Sequence, residues 1–99
     1  MEEIISLLNK AIWLLKECNY PDKALWFEEK VSDLKAGNKK EINNTLEEIK
    51  YILAGMGSFS DLPLIPKEGS NLNESDARYM QWDLVEQLGD KITYQIKNA

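Results

Sequence analysis

The sequence contains no histidine, one cysteine and one arginine, and each scarcity excludes a class of function. Without histidine the chain lacks the commonest general base and zinc ligand, and it cannot form a Ser-His or Cys-His nucleophilic site. Cys18 cannot form an internal disulfide, and its apolar neighbours predict a small buried side chain in a reducing compartment. We therefore expect a protein that is not an enzyme and that holds no metal or other cofactor.

Positive charge is scarce as well. Twelve Lys and Arg residues face seventeen Asp and Glu residues, which gives a formal net charge of −5. Because neutralising phosphates requires clustered basic side chains, this balance argues against direct nucleic-acid binding. A basic protein suits the chain better as a partner.

The chain also lacks long apolar runs, and none approaches the roughly 20 residues that cross a bilayer. It begins Met1-Glu2-Glu3, with acids where a secretory signal would carry positive charge. We expect a cytoplasmic protein without membrane contact. With 99 residues, there is room for one domain, residues 1–99, around one modest core.

Apolar residues recur at helical spacing in four regions, which predicts an all-α fold of four helices in a single small domain. Helix one runs from residue 2 to about 18, helix two from 21 to about 36, helix three from 39 to 54, and helix four starts near Asn73. The four apolar stripes are Ile4, Leu7, Leu8, Ala11, Leu14, Leu15 and Cys18; Ala24, Phe27, Val31 and Leu34; Ile42, Leu46, Ile49 and Leu53; and Ala77, Met80, Leu84, Val85, Leu88, Ile92 and Ile96.

Between helices three and four lies a loop bounded by glycine and proline, GMGSFSDLPLIP, Gly55 to Pro66. Gly55 and Gly57 can adopt positive φ and so end helix three at low cost. They are not predicted to hold a phosphate, because phosphate loops place their glycines before a helix and a lysine close behind. The loop carries too much apolar surface for a solvated connection, so we expect it to be ordered and to cover Trp13 or Trp26.

Two pairs of carboxylates, Glu28-Glu29 and Glu47-Glu48, are the remaining candidates for acid-base chemistry. Each pair falls on a predicted solvent face, whereas catalytic carboxylates need a cleft that shifts their pKa. We interpret both pairs as solvated surface.

The side of helix four that lies opposite its apolar stripe carries acidic residues with tyrosines beside them. At about 100° per residue, six side chains fall opposite the apolar stripe. One interpretation is an ordinary solvated helix face. The other is a docking face, because the repulsion between like charges on neighbouring turns would be relieved by a basic partner. The six residues are Asp76, Tyr79, Asp83, Glu86, Asp90 and Tyr94.

The octapeptide GMGSFSDL, Gly55 to Leu62, preceded by ALWF at residues 24–27, resembles the signature of a family of small bacterial proteins. In that family a helix with a Trp-rich segment is followed by the motif GMGS, an aromatic or aliphatic residue, any residue, and then D-L, and by a C-terminal helix. Its members are similar to immunity proteins of polymorphic toxin systems, including contact-dependent growth inhibition. The resemblance implies that the shared residues maintain the fold. These are Gly55, Gly57, Phe59, Asp61 and Trp26.

The resemblance further implies an antitoxin role, in which the chain binds a cognate protein toxin and occludes its active or substrate-binding surface. Many such toxins are nucleases with basic substrate-binding surfaces, which an acidic inhibitor can occupy. Residues that select one toxin differ among relatives, so the assignment of helix four as the docking face rests on its charge pattern alone. The alternative is a small helical regulatory or structural module that binds a host protein, or a second copy of itself, through the same face.

Overall fold

The structure is a computed structural model that describes residues 1–53 and 58–98. Within these residues every regular element is helical, which confirms the predicted all-α fold. The helices are α1 (Glu2–Glu17), α2 (Pro21–Ala36), α3 (Lys39–Leu53) and α4 (Glu74–Lys97), and a 3₁₀ turn (Phe59–Asp61) precedes α4.

The four helices form a ring around one core. α1 packs on α2 and α4, and α3 packs on the same two helices from the other side. Such packing buries one stripe of each helix and leaves the opposite side to solvent. None of the helices in the described part of the chain combines the length and the apolar character needed to span a membrane.

The predicted apolar stripes build this core, although not all of their members are fully buried. All seven stripe residues of α1 and all four of α2 are buried. Ile42 of α3 is only partly buried, and so are three members of the α4 stripe, Met80, Val85 and Ile96. The core also contains residues outside the predicted stripes: Ile12, Thr45 and Gln81.

Short polar turns separate α1, α2 and α3. Asn19 has a φ of 64°, a conformation that asparagine tolerates better than most residues, and it turns the chain from α1 towards α2. Pro21 opens α2, where its missing N–H has no helical partner to lose. Before α3, the side chain of Asn38 accepts a hydrogen bond from the Glu41 N–H at 3.0 Å, which caps the helix.

The segment between α3 and α4 packs on the helices through Phe59, which is buried against Phe27 with ring centroids 5.6 Å apart. Leu64 is buried as well. The Tyr20 hydroxyl donates a hydrogen bond to the Pro63 carbonyl at 2.9 Å. Gly55 and Gly57, for which positive φ is predicted, lie outside the described residues.

Glu17 anchors the second half of this connection. Its carbonyl accepts a hydrogen bond from the Lys67 N–H at 2.7 Å, and its carboxylate accepts one from the Ser70 hydroxyl at 2.6 Å. Ser70 and Leu72 are half-buried, although the polar composition of residues 67–73 is typical of an exposed loop. Gly69 does turn in solvent, with a φ of 86°.

Candidate functional site

The outer side of α4 carries the six residues predicted to bind a partner, and all six are exposed. We call this surface the α4 outer face; it comprises Asp76, Tyr79, Asp83, Glu86, Asp90 and Tyr94. Tyr79 and Tyr94 are each 69% exposed, which is unusual for large aromatic side chains. The opposite side of α4 is buried through Ala77, Gln81, Leu84, Leu88 and Ile92.

The first turn of α4 is fixed by an N-cap. The side chain of Asn73 accepts a hydrogen bond from the Asp76 N–H at 2.8 Å, so the helix starts where the sequence predicts. Glu74 and Asp76 lie in this turn, where negative charge interacts favourably with the positive end of the helix dipole. The cap therefore sets the register of the outer face at its N-terminal end.

The four carboxylates of the α4 outer face are exposed and have no cationic partner within the described residues. Across residues 1–53 and 58–98, no ion pair involves Asp76, Asp83, Glu86 or Asp90. Asp83 accepts one hydrogen bond, from the Gln87 side-chain amide at 2.6 Å. The four negative charges are thus neither buried nor neutralised within the described chain.

By contrast, three acidic residues elsewhere pair with a lysine of another helix. Glu3 lies 2.6 Å from Lys91, and the hydrogen bond and charge of that lysine lower the pKa of Glu3. One member of each predicted carboxylate pair does the same, because Glu28 lies 2.7 Å from Lys16 and Glu48 pairs with Lys30, whereas Glu29 and Glu47 form no ion pair within residues 1–53 and 58–98. These contacts link α1 to α4, α1 to α2, and α2 to α3.

Trp82 belongs to the same surface, although the sequence analysis did not single it out. Its side chain is 55% exposed, and its ring meets the Tyr79 ring edge to face, with centroids 6.3 Å apart and planes at 84°. Residues three apart on a helix are neighbours, so the spacing from Tyr79 to Trp82 could have revealed this pair. Trp82 therefore adds a second large aromatic ring beside Tyr79, at the edge of the outer face.

Three of the predicted motif residues lie within the described part of the chain and have separate environments. Phe59 is buried, Asp61 is exposed, and Trp26 is partly buried beside Phe27, with ring centroids 5.1 Å apart. Trp26 also borders a groove of about 300 Å³ together with Phe59 and Leu62. Trp13 on α1 stays 48% exposed.

A buried side-chain amide holds residues 59–62, the last four residues of the motif, in place. The side-chain amide of Gln81, on the inner side of α4, donates hydrogen bonds to the Phe59 carbonyl at 2.7 Å and to the Leu62 carbonyl at 2.9 Å. The sequence analysis missed Gln81, because a polar residue within an apolar stripe is ordinarily assigned to the surface. Gln81 therefore couples the position of the motif to that of α4.

Groups with chemical reactivity are few in the described chain. Burial raises the pKa of the Cys18 thiol, and the nearby charge of Glu17 adds to this, so the thiol stays protonated. Among residues 1–53 and 58–98, no three His, Cys, Asp or Glu side chains are placed to hold a metal ion. The arrangement best suited to a function is thus a binding surface, the α4 outer face with Trp82.

We compared the chain with protein-family models, with curated proteins and with solved structures, and none of the three comparisons gave a match. The resemblance of residues 55–62 to the immunity family therefore stays a prediction.

Proposed function

We propose that this protein is an immunity protein that binds a cognate bacterial toxin domain through the α4 outer face and neutralises it by occlusion. The observation that carries the proposal is the concentration, on one side of one helix, of three exposed aromatic rings and four carboxylates that form no ion pair with any described residue. The octapeptide resemblance supports a toxin as the partner.

The negative charge of the proposed interface determines which kind of partner it attracts. Asp83, Glu86 and Asp90 occupy neighbouring turns, where like charges destabilise a helix by roughly 0.2–0.5 kcal/mol per pair, and Asp76 lies two turns before Asp83. A basic surface relieves this repulsion, and opposite charges also accelerate encounter. Because a nuclease must attract phosphates, its substrate-binding surface is basic, and an acidic helix can occupy that surface in place of the nucleic acid.

Aromatic side chains give the interface its contact area. Tyr and Trp are enriched at the centres of protein interfaces, where they bury large areas and lose little conformational entropy. Tyr79 and Trp82 lie together between Asp76 and Asp83, so the aromatic area is flanked by charge on both sides. Such a surface neutralises a toxin by covering it and needs no chemistry of its own.

The proposal is tested by co-expressing the toxin domain encoded beside this gene with the wild-type protein or with the double variant Asp83→Lys and Glu86→Lys. Surviving cells are counted, and helicity is checked by circular dichroism. The matched control is the double reversal Glu29→Lys and Glu47→Lys, which changes two exposed acids on α2 and α3 by the same charge.

Wild type and control are expected to protect the cells, and the α4 double variant is expected to lose protection while keeping its helicity. Full protection by the α4 variant would show that the toxin docks elsewhere, with the surface around Trp13 as the next candidate. If the wild-type protein protects against no neighbouring toxin, the immunity function is wrong, and a regulatory module that binds a host protein or a second copy takes its place.

A further inference from the structure

Tyr79 and Trp82 form an exposed aromatic pair on the helix surface, with acids beside Tyr79 and Arg78 four residues before Trp82. The two rings meet edge to face, and each ring is more than half exposed. Asp76 precedes Tyr79 by three residues and Asp83 follows it by four, which are the spacings that make side chains neighbours on a helix. A cation that reaches the ring faces therefore also reaches a carboxylate.

The molecule contains the same combination elsewhere, and there it holds a cation. The Lys30 Nζ lies 5.0 Å from the centroid of the Trp26 ring and pairs at the same time with Glu48. An aromatic face and a carboxylate attract a cation jointly, since the ring quadrupole adds to the ionic attraction. The Lys30 contact shows that these side chains can assemble such a site across two helices.

On α4 the corresponding cation is missing from the described chain. Within residues 1–53 and 58–98, no cationic group lies over the Tyr79 or the Trp82 ring. Arg78 and Glu74 border a shallow cleft of about 320 Å³ beside the two rings. These two residues carry opposite charges, so they leave the acidic character of the surface to Asp76 and Asp83.

We propose that Tyr79, Trp82, Asp76 and Asp83 together receive an arginine side chain of a basic protein partner. Arginine fits better than lysine because its planar guanidinium stacks on an aromatic ring and still presents a fork of N–H donors to a carboxylate. The inference rests on the proposed function for the identity of the partner, which would be the toxin, whereas the recognition itself requires only a basic protein.

The test uses the full chain labelled with ¹⁵N and two blocked peptides, tetra-arginine and tetra-lysine, at low ionic strength. The chain has three tryptophans, so three indole N–H signals report on peptide binding once single Trp→Phe variants have assigned them. Trp13 is the internal control, because its ring is 48% exposed, close to the 55% of Trp82, and lies on another helix.

Tetra-arginine is expected to move the Trp82 signal in a saturable way, to leave the Trp13 signal in place, and to bind more tightly than tetra-lysine. The variant Asp83→Asn should weaken tetra-arginine binding about two- to fivefold, the range for an exposed ion pair. Tyr79→Ala should weaken it as well. The proposal is overturned if Trp13 and Trp82 respond alike, if the two peptides bind equally, or if Tyr79→Ala binds as the wild type does.

Combining the peptide titration with the survival assay distinguishes a failure of the arginine site from a failure of the immunity function. Selective binding of tetra-arginine at Trp82, without protection by the wild-type protein, would leave the arginine site standing and remove the toxin as its partner. Protection that persists in Trp82→Ala, together with no preference for tetra-arginine, would keep the immunity function and reject the arginine site.

Discussion

The two sides of α4 differ in how extensively they contact the rest of the molecule. The inner side packs into the core through Leu84, Leu88 and Ile92 and fixes the preceding segment through Gln81. The outer side carries four carboxylates, two tyrosines and Trp82, and within the described residues none of these carboxylates enters an ion pair. One helix thus combines a side that folding requires with a side that folding leaves available for binding.

The other helices show that this difference is not a general property of surface acids. Glu3, Glu28 and Glu48 each pair with a lysine of another helix. These three charges form ion pairs within the molecule, and such exposed pairs each contribute up to about 1 kcal/mol to the free energy of unfolding. Substitutions on the two sides of α4 should therefore separate stability from binding.

The largest effect is expected at the centre of the inner side. Leu88 is fully buried, so Leu88→Ala should lower the free energy of unfolding by about 2–5 kcal/mol through lost apolar burial and a cavity. Urea denaturation measures the change. The matched control is Tyr94→Ala on the outer face, which should stay within about 0.5 kcal/mol of the wild type. Equal losses from the two variants would break the distinction between the sides.

Gln81 tests whether a polar residue on the inner side behaves as part of the core. Gln81→Leu keeps a similar volume but leaves the Leu62 carbonyl without its donor and the Phe59 carbonyl with only the longer bond from the Leu62 N–H at 3.3 Å, which should cost roughly 2 kcal/mol or more. The control is Gln95→Leu, a half-buried glutamine on the same helix. A Gln81→Leu variant as stable as the wild type would mean that water or other donors satisfy the two carbonyls.

Glu17 is an acidic residue whose carboxylate makes contacts that stabilise the fold. The hydrogen bond from Ser70 and, to a lesser extent, the charge of Lys67 lower the pKa of Glu17. A lowered pKa in the folded state stabilises the protein above the unfolded-state pKa, and this contribution is lost as the pH falls through the folded-state pKa. Glu17→Gln should therefore make stability less sensitive to acid below neutral pH.

Urea midpoints between pH 7 and pH 3 measure this sensitivity. Ser70→Ala removes the main donor to the Glu17 carboxylate and should reproduce part of the effect. An acid dependence in Glu17→Gln as steep as that of the wild type would show that other carboxylates carry the dependence.

The smallest effect, with the opposite sign, is expected on the outer face. Glu86 lies three residues after Asp83 and four before Asp90, so Glu86→Gln removes two repulsive neighbour pairs. The free energy of unfolding should rise by a few tenths of a kcal/mol, the size of such pairs in helices. The urea midpoint at low ionic strength measures it, and the gain should fade as salt is added. A clear destabilisation would mean that Glu86 makes a favourable contact within the fold.

The sequence predicted the inner side of α4 well and the outer side only in part. Apolar residues at helical spacing predict burial because a helix buries one stripe, so Leu84, Leu88 and Ile92 were identified directly. Gln81 was not, because its role depends on two carbonyls that the chain brings to it from 19 and 22 residues away. The contact of Glu17 with Ser70 spans 53 residues and was equally invisible to local patterns.

The exposure of the six outer-face residues followed from the same helical counting, whereas the lack of ion pairs at the four carboxylates, within residues 1–53 and 58–98, could not be predicted from it. Whether an acid pairs depends on which lysine a neighbouring helix presents, and that requires the packing of the whole bundle. Trp82 was overlooked because it lies at the edge of the predicted stripe, although its spacing from Tyr79 was visible in the sequence. Gly55 and Gly57 lie outside the described residues, so their predicted positive φ stays a prediction.

The most direct test of the α4 outer face as a docking surface is an association rate. Stopped flow measures the rate at which this protein binds a toxin domain encoded beside its gene, across a range of salt concentrations. The account predicts that the rate constant for the wild-type protein falls steeply as salt screens the carboxylates, by about tenfold or more. For Asp83→Lys with Glu86→Lys, association should be slower at low salt and nearly independent of salt, while the Glu29→Lys with Glu47→Lys control should follow the wild type. Identical salt dependence in the α4 variant and the wild type would contradict the assignment of the α4 outer face as the docking surface.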